Sequence, residues 1–506
     1  MCRPPSEQSV RTALGTVFPD VTIDRIQAIP SPRLQRPYEV TLSDGRTIYL
    51  VMSPPTRLRL LRSEHFMIPA EALAVQWIRD ELPKYPEADK QPTEATSGPG
   101  TSLSLRQLVP NLIHLSHGTN ELGSICSFFE STQGTPLALV PGLLSPEERQ
   151  QIDGQVGQMF RGLAHLTSPT GRFGPVATCL SASTTSSTRR GGATIPAGPG
   201  GSSAMAGSTE GVGTWSGAFH LMLEGILRDG EDMAVMISYS AIRRHFKRLR
   251  HLLDLVTVPR LVVMDGADES NVLVSSSLPS PGPSNTSIPI PAIAQATSKI
   301  QLDSESKSGK DKEEKKDGTD QSREDNSPVV FTGLRDWSTA IFGDPLIATV
   351  FSDGTPTSSF LQGFNSNTNT TTTSPDATAS SVPSITTNTL PLDSSIIEDT
   401  ETAPIRQLLY QVYHASVSIV KEFYRPSPRE SSDISTSSRS RRELDGRKKL
   451  TEALAKLELV QDHEVDLTHL AAKRTYGVAR LSGEMSPAKR VKEAGQGAGT
   501  AAGVEE

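Results

Sequence analysis

The chain has 506 residues, yet only 35% are hydrophobic and 5% aromatic, with 39 Gly and 37 Pro, so long linkers or insertions must interrupt whatever core it packs. A formal net charge of -7 argues against a general nucleic-acid-binding surface. Three cysteines, Cys2, Cys126 and Cys179, without pairing or metal spacing point to a reducing compartment and no structural zinc.

The start, "MCRPPSEQSVRTALG", lacks an apolar targeting region, and no run of eighteen apolar residues occurs, so the expectation is a soluble, intracellular protein with no membrane partner. Ser6 to Val17 reads as a short helix, followed by strands over Val21 to Ile29, Tyr38 to Leu42 and Thr47 to Met52, the last two joined by the turn "SDGR". In "LRLLRSEHFMIPAEALAVQWIRDEL" the residues Ala70, Leu73, Ala74, Trp77 and Ile78 recur at helical spacing. A polar loop, Pro83 to Ser104, precedes strands at Ile113 to Leu115 and Ile125 to Phe129, where Cys126 reads as core. The turn "QGTPL" leads into "LSPEERQQIDGQVGQMFRGLAHL", in which Ser145, Pro146 and Glu148 have the spacing of an N-cap with a capping box, opening a long amphipathic helix.

Three stretches, 181–210, 275–328 and 355–395, are too polar to offset chain entropy by burial and are expected to be disordered insertions. The segments between them stay periodic: Phe219, Met222, Leu223 and Ile226 share one helical face, and Ile242, Phe246, Leu249, Leu253 and Val256 the next. His220, His245 and His251 lie on these helices without ligand spacing and read as surface or packing residues. Pro404 to Tyr424 and Lys448 to Leu459 read as the last helices. Between them the Ser/Arg-rich stretch 425–449 is expected to be an exposed linker open to phosphorylation, and 460–506 a mostly disordered tail.

"VPRLVVMDGADESNVLV", Val258 to Val274, sets Asp265, Asp268, Glu269 and Asn271 between two apolar runs. On the residues alone two readings stay open: an Asp-Gly turn with solvated acids closing a hairpin, or a site that holds something charged. Downstream, "FTGLRDWSTAIFGDP" adds Asp336 and Asp344. An acid near an acceptor hydroxyl, with an Asn and a second Asp holding Mg²⁺ against nucleotide phosphates, is what phosphoryl transfer requires.

The ordered fragments "LSDGRTIYLVMSPP", "ESTQGTPL", "LSPEERQQIDGQVGQMFRGLAHLTSPTGRFGPV", "TWSGAFHLMLEGILRDGEDM" and "TGLRDWSTAIFGDPL" resemble the fungal branch of the aminoglycoside phosphotransferase and choline kinase-like group. The resemblance covers most of the chain outside the insertions. It implies an α+β, two-lobed protein-kinase-like fold, with a small antiparallel-sheet lobe at 6–134 and a larger helical lobe at 135–459. It also implies ATP- and Mg²⁺-dependent phosphoryl transfer to a hydroxyl of a small molecule. Matched to the family pattern, Asp265 is the catalytic residue and Asn271 and Asp336 hold the metal. Glu71 stands where the family has the acid that pairs with a strand lysine, and Glu130 and Ser131 fall in the adenine-binding segment, Ser127 to Leu137. Asp344 is the acid that caps the next helix.

Three positions depart from that pattern. Val51 stands in place of the strand lysine, so that Glu71, without its partner, reads as a solvated helix acid. Gly266 holds the usual spacing of the catalytic Asp, with Asp265 one residue earlier and Val263 where a His belongs. "AIPSPRLQRPYEV" lacks the glycines that let backbone amides approach phosphates, and Arg57, Arg59 and Arg62 are the neighbouring candidates to lend positive charge. These departures carry the alternative, a catalytically degenerate, pseudokinase-like binding or scaffold protein with a protein partner. Near the end, "SPAKRVKEAG" sets Lys489, Arg490 and Lys492 beside Pro487, which is either a nuclear-import type of cluster or a tail with a few charges; the expected location is cytoplasmic, or nuclear if the cluster is read.

Overall fold

Alternation of apolar and polar residues builds the first part of the chain. In the computed structural model, β1 (Ile23–Ala28), β2 (Arg36–Leu42) and β3 (Thr47–Met52) form an antiparallel meander, and β4 (Leu112–His117) and β5 (Ile125–Glu130) extend it in the order β1-β2-β3-β5-β4. The β2–β3 turn forms at "SDGR" as expected, with Gly45 at φ 81°, a conformation that glycine reaches without steric cost. Tyr38, Val40, Ile48, Leu50, Cys126 and Phe128 share one face and bury against Val10, Ala13 and Leu14 of helix α1 (Glu7–Leu14), which is capped by Ser6. Period two sends Tyr49 and Val51 to the opposite face. Helix α2 (Met67–Glu81) packs against β4 and β5.

The described residues are 4–15, 17–31, 33–82, 104–117, 122–130, 134–140, 144–180, 211–275, 329–365, 392–425 and 433–460, with side chains placed only from 441 in the last segment. The expected insertion 181–210, nearly all of 275–328 and the tail with Lys489, Arg490 and Lys492 therefore lie outside the described residues.

The second part is mostly helical. After the short α3 (Leu105–Leu108) come α4 (Pro146–His165), α5 (Trp215–Asp232) and α6 (Tyr239–Leu253). The capping box forms as its spacing predicts: the Ser145 hydroxyl accepts from the Glu148 amide at 3.2 Å, and the Glu148 carboxylate accepts from the Ser145 amide at 2.7 Å. His245 is buried and His220 stacks on Phe246 at 4.9 Å, both packing roles. The α+β architecture, an antiparallel-sheet lobe followed by a helical lobe, is the one expected from the sequence.

Two expectations need correcting at their described ends, on 355–395 and 425–449; residues 366–391 and 426–432 of these stretches lie outside the described residues. Residues 358–365 form helix α8 (Ser358–Asn365), which follows the one-turn α7 (Thr349–Ser352). Phe360 and Phe364 are buried there, and α8 lies so close to α4 that a Cβ at Gly157 would collide with the Phe360 carbonyl oxygen. Ile396 and Ile397, at the other border, are fully buried. The Ser/Arg-rich stretch is helical from its ninth residue rather than an irregular linker: α10 (Asp433–Leu459) runs through it, with residues 441–449 mostly exposed as expected, and just beyond it lays Leu450, Ala453 and Leu457 against α9 (Ala403–Tyr424) and α6. Composition misread both because a few well-spaced apolar residues suffice to dock a helix.

The acidic stretch does not close a hairpin. Its flanking strands, β8 (Arg260–Val263) and β9 (Val272–Ser275), belong to different sheets: β9 lies between β10 (Val330–Leu334) and β6 (Thr135–Pro136), whereas β8 pairs with β11 (Ala340–Gly343), which also pairs with β7 (Gly174–Pro175). The chain thus crosses between the same two sheets twice, once through 264–271 and once through 335–339. Among the described residues no helix is long and apolar enough to cross a membrane.

Candidate functional site

The two crossings run side by side and are stitched by Asn271. Its amide oxygen accepts from the Asp336 backbone N–H at 2.8 Å, and its amide nitrogen donates to the Asp336 carbonyl at 3.0 Å and the Asp265 carbonyl at 3.4 Å. The Arg335 amide donates to the Asn271 carbonyl at 2.9 Å. Asn271 is fully buried, and both ends of its amide are engaged by backbone. The sequence groups it with the metal ligands; the structure uses it as the clasp that fixes Asp336.

Asp336 and Asp265 are brought together, and what lies between them is a guanidinium. Nη1 of Arg33, from the β1–β2 loop, pairs with Asp265 Oδ2 and lies 3.4 Å from Asp336 Oδ2. The second oxygen of Asp265 accepts from the Thr339 hydroxyl, and Asp336 accepts from the Ser338 amide at 2.8 Å and from Gln35 Nε2 at 3.2 Å. Burial alone would lower the pKa of Arg33, but attraction to Asp265 and then Asp336 outweighs it and holds the guanidinium firmly charged. Arg59 and Arg62 do not supply this charge: Arg62 pairs with Asp229 and Asp232, and Arg59 lies over the Tyr424 ring. The sequence reading missed Arg33, although it sits in the "AIPSPRLQRPYEV" segment already marked by its missing glycines.

Glu71 is no solvated acid. It is 3% exposed on α2, one carboxylate oxygen accepts from the Trp337 amide at 3.2 Å, and the other has no partner. Burial, reinforced by the charge of Asp336, pushes this carboxyl well above the ordinary range. Val51 is buried at 3% exposure and offers no charge. Tyr49, two residues earlier on the same face, is pushed up to about 12 by burial and receives a long contact, 3.4 Å, from Arg335 Nε.

Glu130 lies exposed at the end of β5, its carboxylate accepting from Asn111 at 3.0 Å; Ser131 lies outside the described residues. Asp344 caps the turn that follows it through the Leu346 amide, 3.1 Å, as expected. It also accepts from Arg406 at 3.0 Å and from Tyr410 at 2.7 Å, both fully buried.

The donor set suits a hard cation in one respect: two carboxylates from separate crossings converge on one positive nitrogen. Among the described residues no group of three or more His, Cys, Asp or Glu is arranged to hold a metal, so a cation here would rest on few protein ligands, the regime of Mg²⁺ with its waters and phosphates.

No family model matches the sequence, and no curated protein does. Among solved structures, a protein assigned as a fructosamine-3-kinase from Thermobifida fusca is similar at 12% identity and TM-score 0.41, over 88% of this chain and 100% of that one. Aminoglycoside 2'-phosphotransferase-IIIa in its GDP complex is similar at 12% identity and TM-score 0.40, over 89% and 99%. A protein assigned as an aminoglycoside phosphotransferase from Ralstonia eutropha JMP134 is similar at 9% identity and TM-score 0.43, over 89% and 98%. At such values the site has to be argued from its own geometry.

Proposed function

We propose that this chain is a phosphotransferase of the aminoglycoside phosphotransferase-like, protein-kinase-like type, acting with ATP and Mg²⁺ on a hydroxyl of a small molecule. The observation that carries the reading is the convergence of the Asp265 and Asp336 carboxylates on a single positive charge. Asp336, fixed by the Asn271 clasp, would hold the cation, and Asp265 would take the proton of the acceptor hydroxyl as it attacks. The cation would supply charge neutralisation for the phosphates. Asn271 acts in this scheme as a positioning residue: it orients both crossings through their backbones. Ser338 and Thr339 hold the rotamers of the two carboxylates, which is how a site keeps its acids aimed before substrate arrives.

A second reading has its own observation. With Val51 in place of a lysine, strand β3 itself has no charge to meet α- and β-phosphates, and the one guanidinium of the sheet part at the site, Arg33, is engaged by Asp265 and Asp336. A binding or scaffold protein that has kept the acidic crossings and lost the transfer reaction fits those facts.

Calorimetric titration with ATP and Mg²⁺ tests the first reading, on wild type, Arg33→Gln and Asp336→Ala. Mg²⁺-dependent binding that is lost in Asp336→Ala supports it, and transfer of the terminal phosphate to a panel of hydroxylated small molecules then decides between enzyme and binder. Absence of nucleotide binding at millimolar concentration in both wild type and Arg33→Gln sinks it.

A further inference from the structure

We infer that Arg33 is a built-in counter-cation that closes the acidic site, and that the β1–β2 loop is a strap which must lift before a divalent cation can enter. The inference rests on the proposal that Asp265 and Asp336 form a cation and phosphate site, and it adds the state in which the described molecule holds that site.

The strap is fastened at three points. Arg33 meets both carboxylates; Gln35 donates to Asp336 at 3.2 Å and to the Ser338 hydroxyl at 3.1 Å; and Arg335, the residue before Asp336, donates back to the Pro30 carbonyl at 2.9 Å. Pro30, Arg33 and Gln35 therefore lie over the crossings rather than standing away from them. One nitrogen engages the proposed base and the proposed cation ligand together, so both roles are blocked by one contact. An arginine and a divalent cation cannot share that position, because each needs the same Asp336 oxygen and their charges repel.

The fastening is replaceable in kind. Arg33 reaches the acids from a loop, its side chain keeps 15% exposure, and the Asp265 carboxylate keeps 25%. A divalent cation carries twice the charge and brings its own waters, so it can replace the guanidinium without leaving the acids uncompensated. A second, independent feature marks the site as incomplete: the free oxygen of Glu71 is buried and unpartnered beside the Trp337 amide, on the crossing that carries Asp336. Few buried carboxylate oxygens are left without a partner in a finished ion-pair network.

The experiment is a titration of the full chain with Mn²⁺ alone, read by calorimetry and by water-proton relaxation, on wild type, Arg33→Gln, Gln35→Ala and Asp336→Asn. Competition predicts that Arg33→Gln binds Mn²⁺ at least about tenfold more tightly than wild type. Gln35→Ala, which loosens the strap without removing its charge, should show a smaller gain, and Asp336→Asn should lose the site. The Gln35→Ala arm decides the matter if Arg33→Gln melts without cooperativity. Equal affinity in wild type, Arg33→Gln and Gln35→Ala overturns the strap while leaving the phosphotransferase reading standing. A folded Arg33→Gln that takes no Mn²⁺ overturns the strap as well, and the nucleotide titration then decides the proposed function separately.

Discussion

Two arginines in this molecule each answer aspartates, and they do so in opposite ways. Arg406, on α9, is fully buried, and its guanidinium is spent on Asp344, on the carbonyls of Glu398 and Asp399 and on the Thr402 hydroxyl. Asp344 in turn takes the Tyr410 hydroxyl, which takes the Trp215 indole N–H at 2.7 Å. The Arg406 guanidinium, the Asp344 carboxylate and the Tyr410 hydroxyl are all buried and all partnered. Arg33 arrives on a loop, stays partly solvated and serves two acids with one nitrogen. The first arrangement ties α9 to the turn after β11 and has no second state. The second has a competitor in any divalent cation. The same chemical pair is a fastener in one place and a removable plug in the other, and what separates them is which element carries the arginine and how many of its N–H groups are committed.

Breaking the permanent pair should have the largest effect. Arg406→Ala leaves Asp344 as a buried carboxylate with only hydroxyl and amide donors, at a cost of about 3–5 kcal/mol in chemical denaturation. A loss below about 1 kcal/mol would erase the contrast with Arg33. Next comes Asn271→Ala, which strips the Asp336 backbone of two buried partners and should cost about 2–4 kcal/mol. It should also abolish any cation binding that Arg33→Gln reveals, because Asp336 loses its clasp while keeping its charge. If Asn271→Ala destabilises but leaves Mn²⁺ binding intact, the clasp has no bearing on the site.

The contrast also shows what could be read from the sequence. Strand and helix positions followed from alternation and spacing: β3 falls on Thr47 to Met52 as predicted, and the Ser145 cap sets the start of α4. The site's polar residues were legible, since Asp265, Asn271, Asp336 and Asp344 stand out between apolar runs. Their partners were not. Arg33 is 232 residues from Asp265 and Arg406 is 62 from Asp344, and no local periodicity joins such pairs. The hairpin reading of 258–274 failed for the same reason, because strands adjacent in sequence were assigned to each other although each finds its partner after the 276–328 stretch. Glu71 was misjudged on the assumption that an acid without a lysine faces water. The helix turns it inward anyway, and burial raises its pKa.

A smaller effect lies at the edge of the helical part, where a third arginine–aspartate pair holds the chain at the border of residues 366–391. Arg161 of α4 binds Asp393 and the Phe364 carbonyl at 2.9 Å, so it ties together the two ends that flank that stretch. Partial burial works against the Asp393 carboxylate, but the Arg161 hydrogen bond and the Ser395 donors prevail and lower its pKa from 3.8 to about 2. A depressed acid stabilises the fold above its unfolded pKa and loses that contribution as pH falls through the folded value. Asp393→Asn should therefore cost about 1–2 kcal/mol at pH 7, allowing for solvent screening, and close to nothing near pH 2. A cost that stays constant across that window would show that packing, not charge, holds the border, and would place this pair nearer to neither of the other two.

The smallest effect carries the opposite sign and concerns Glu71, a buried acid that forms no ion pair with an arginine. Glu71 has a raised pKa in the folded chain, so the folded state binds its proton more tightly than the unfolded state does. Its contribution is fully present below the unfolded carboxylate pKa and is lost as pH rises through the folded value, because the unfolded chain ionises first. Glu71→Gln removes that loss. The glutamine oxygen can still accept from the Trp337 amide, and its NH₂ replaces the protonated oxygen. The variant should match wild type near pH 4 and melt a few degrees higher at pH 7 to 8 when no cation is bound, as read by calorimetric scans. Added Mn²⁺ in the Arg33→Gln background should then reverse the order. A cation on Asp336 favours the ionised form of Glu71, a benefit that glutamine cannot share, so the double variant should gain less from Mn²⁺ than Arg33→Gln alone. If the two gain equally, Glu71 is a buried acid with no electrostatic link to the crossings, and the site ends at Asp265 and Asp336.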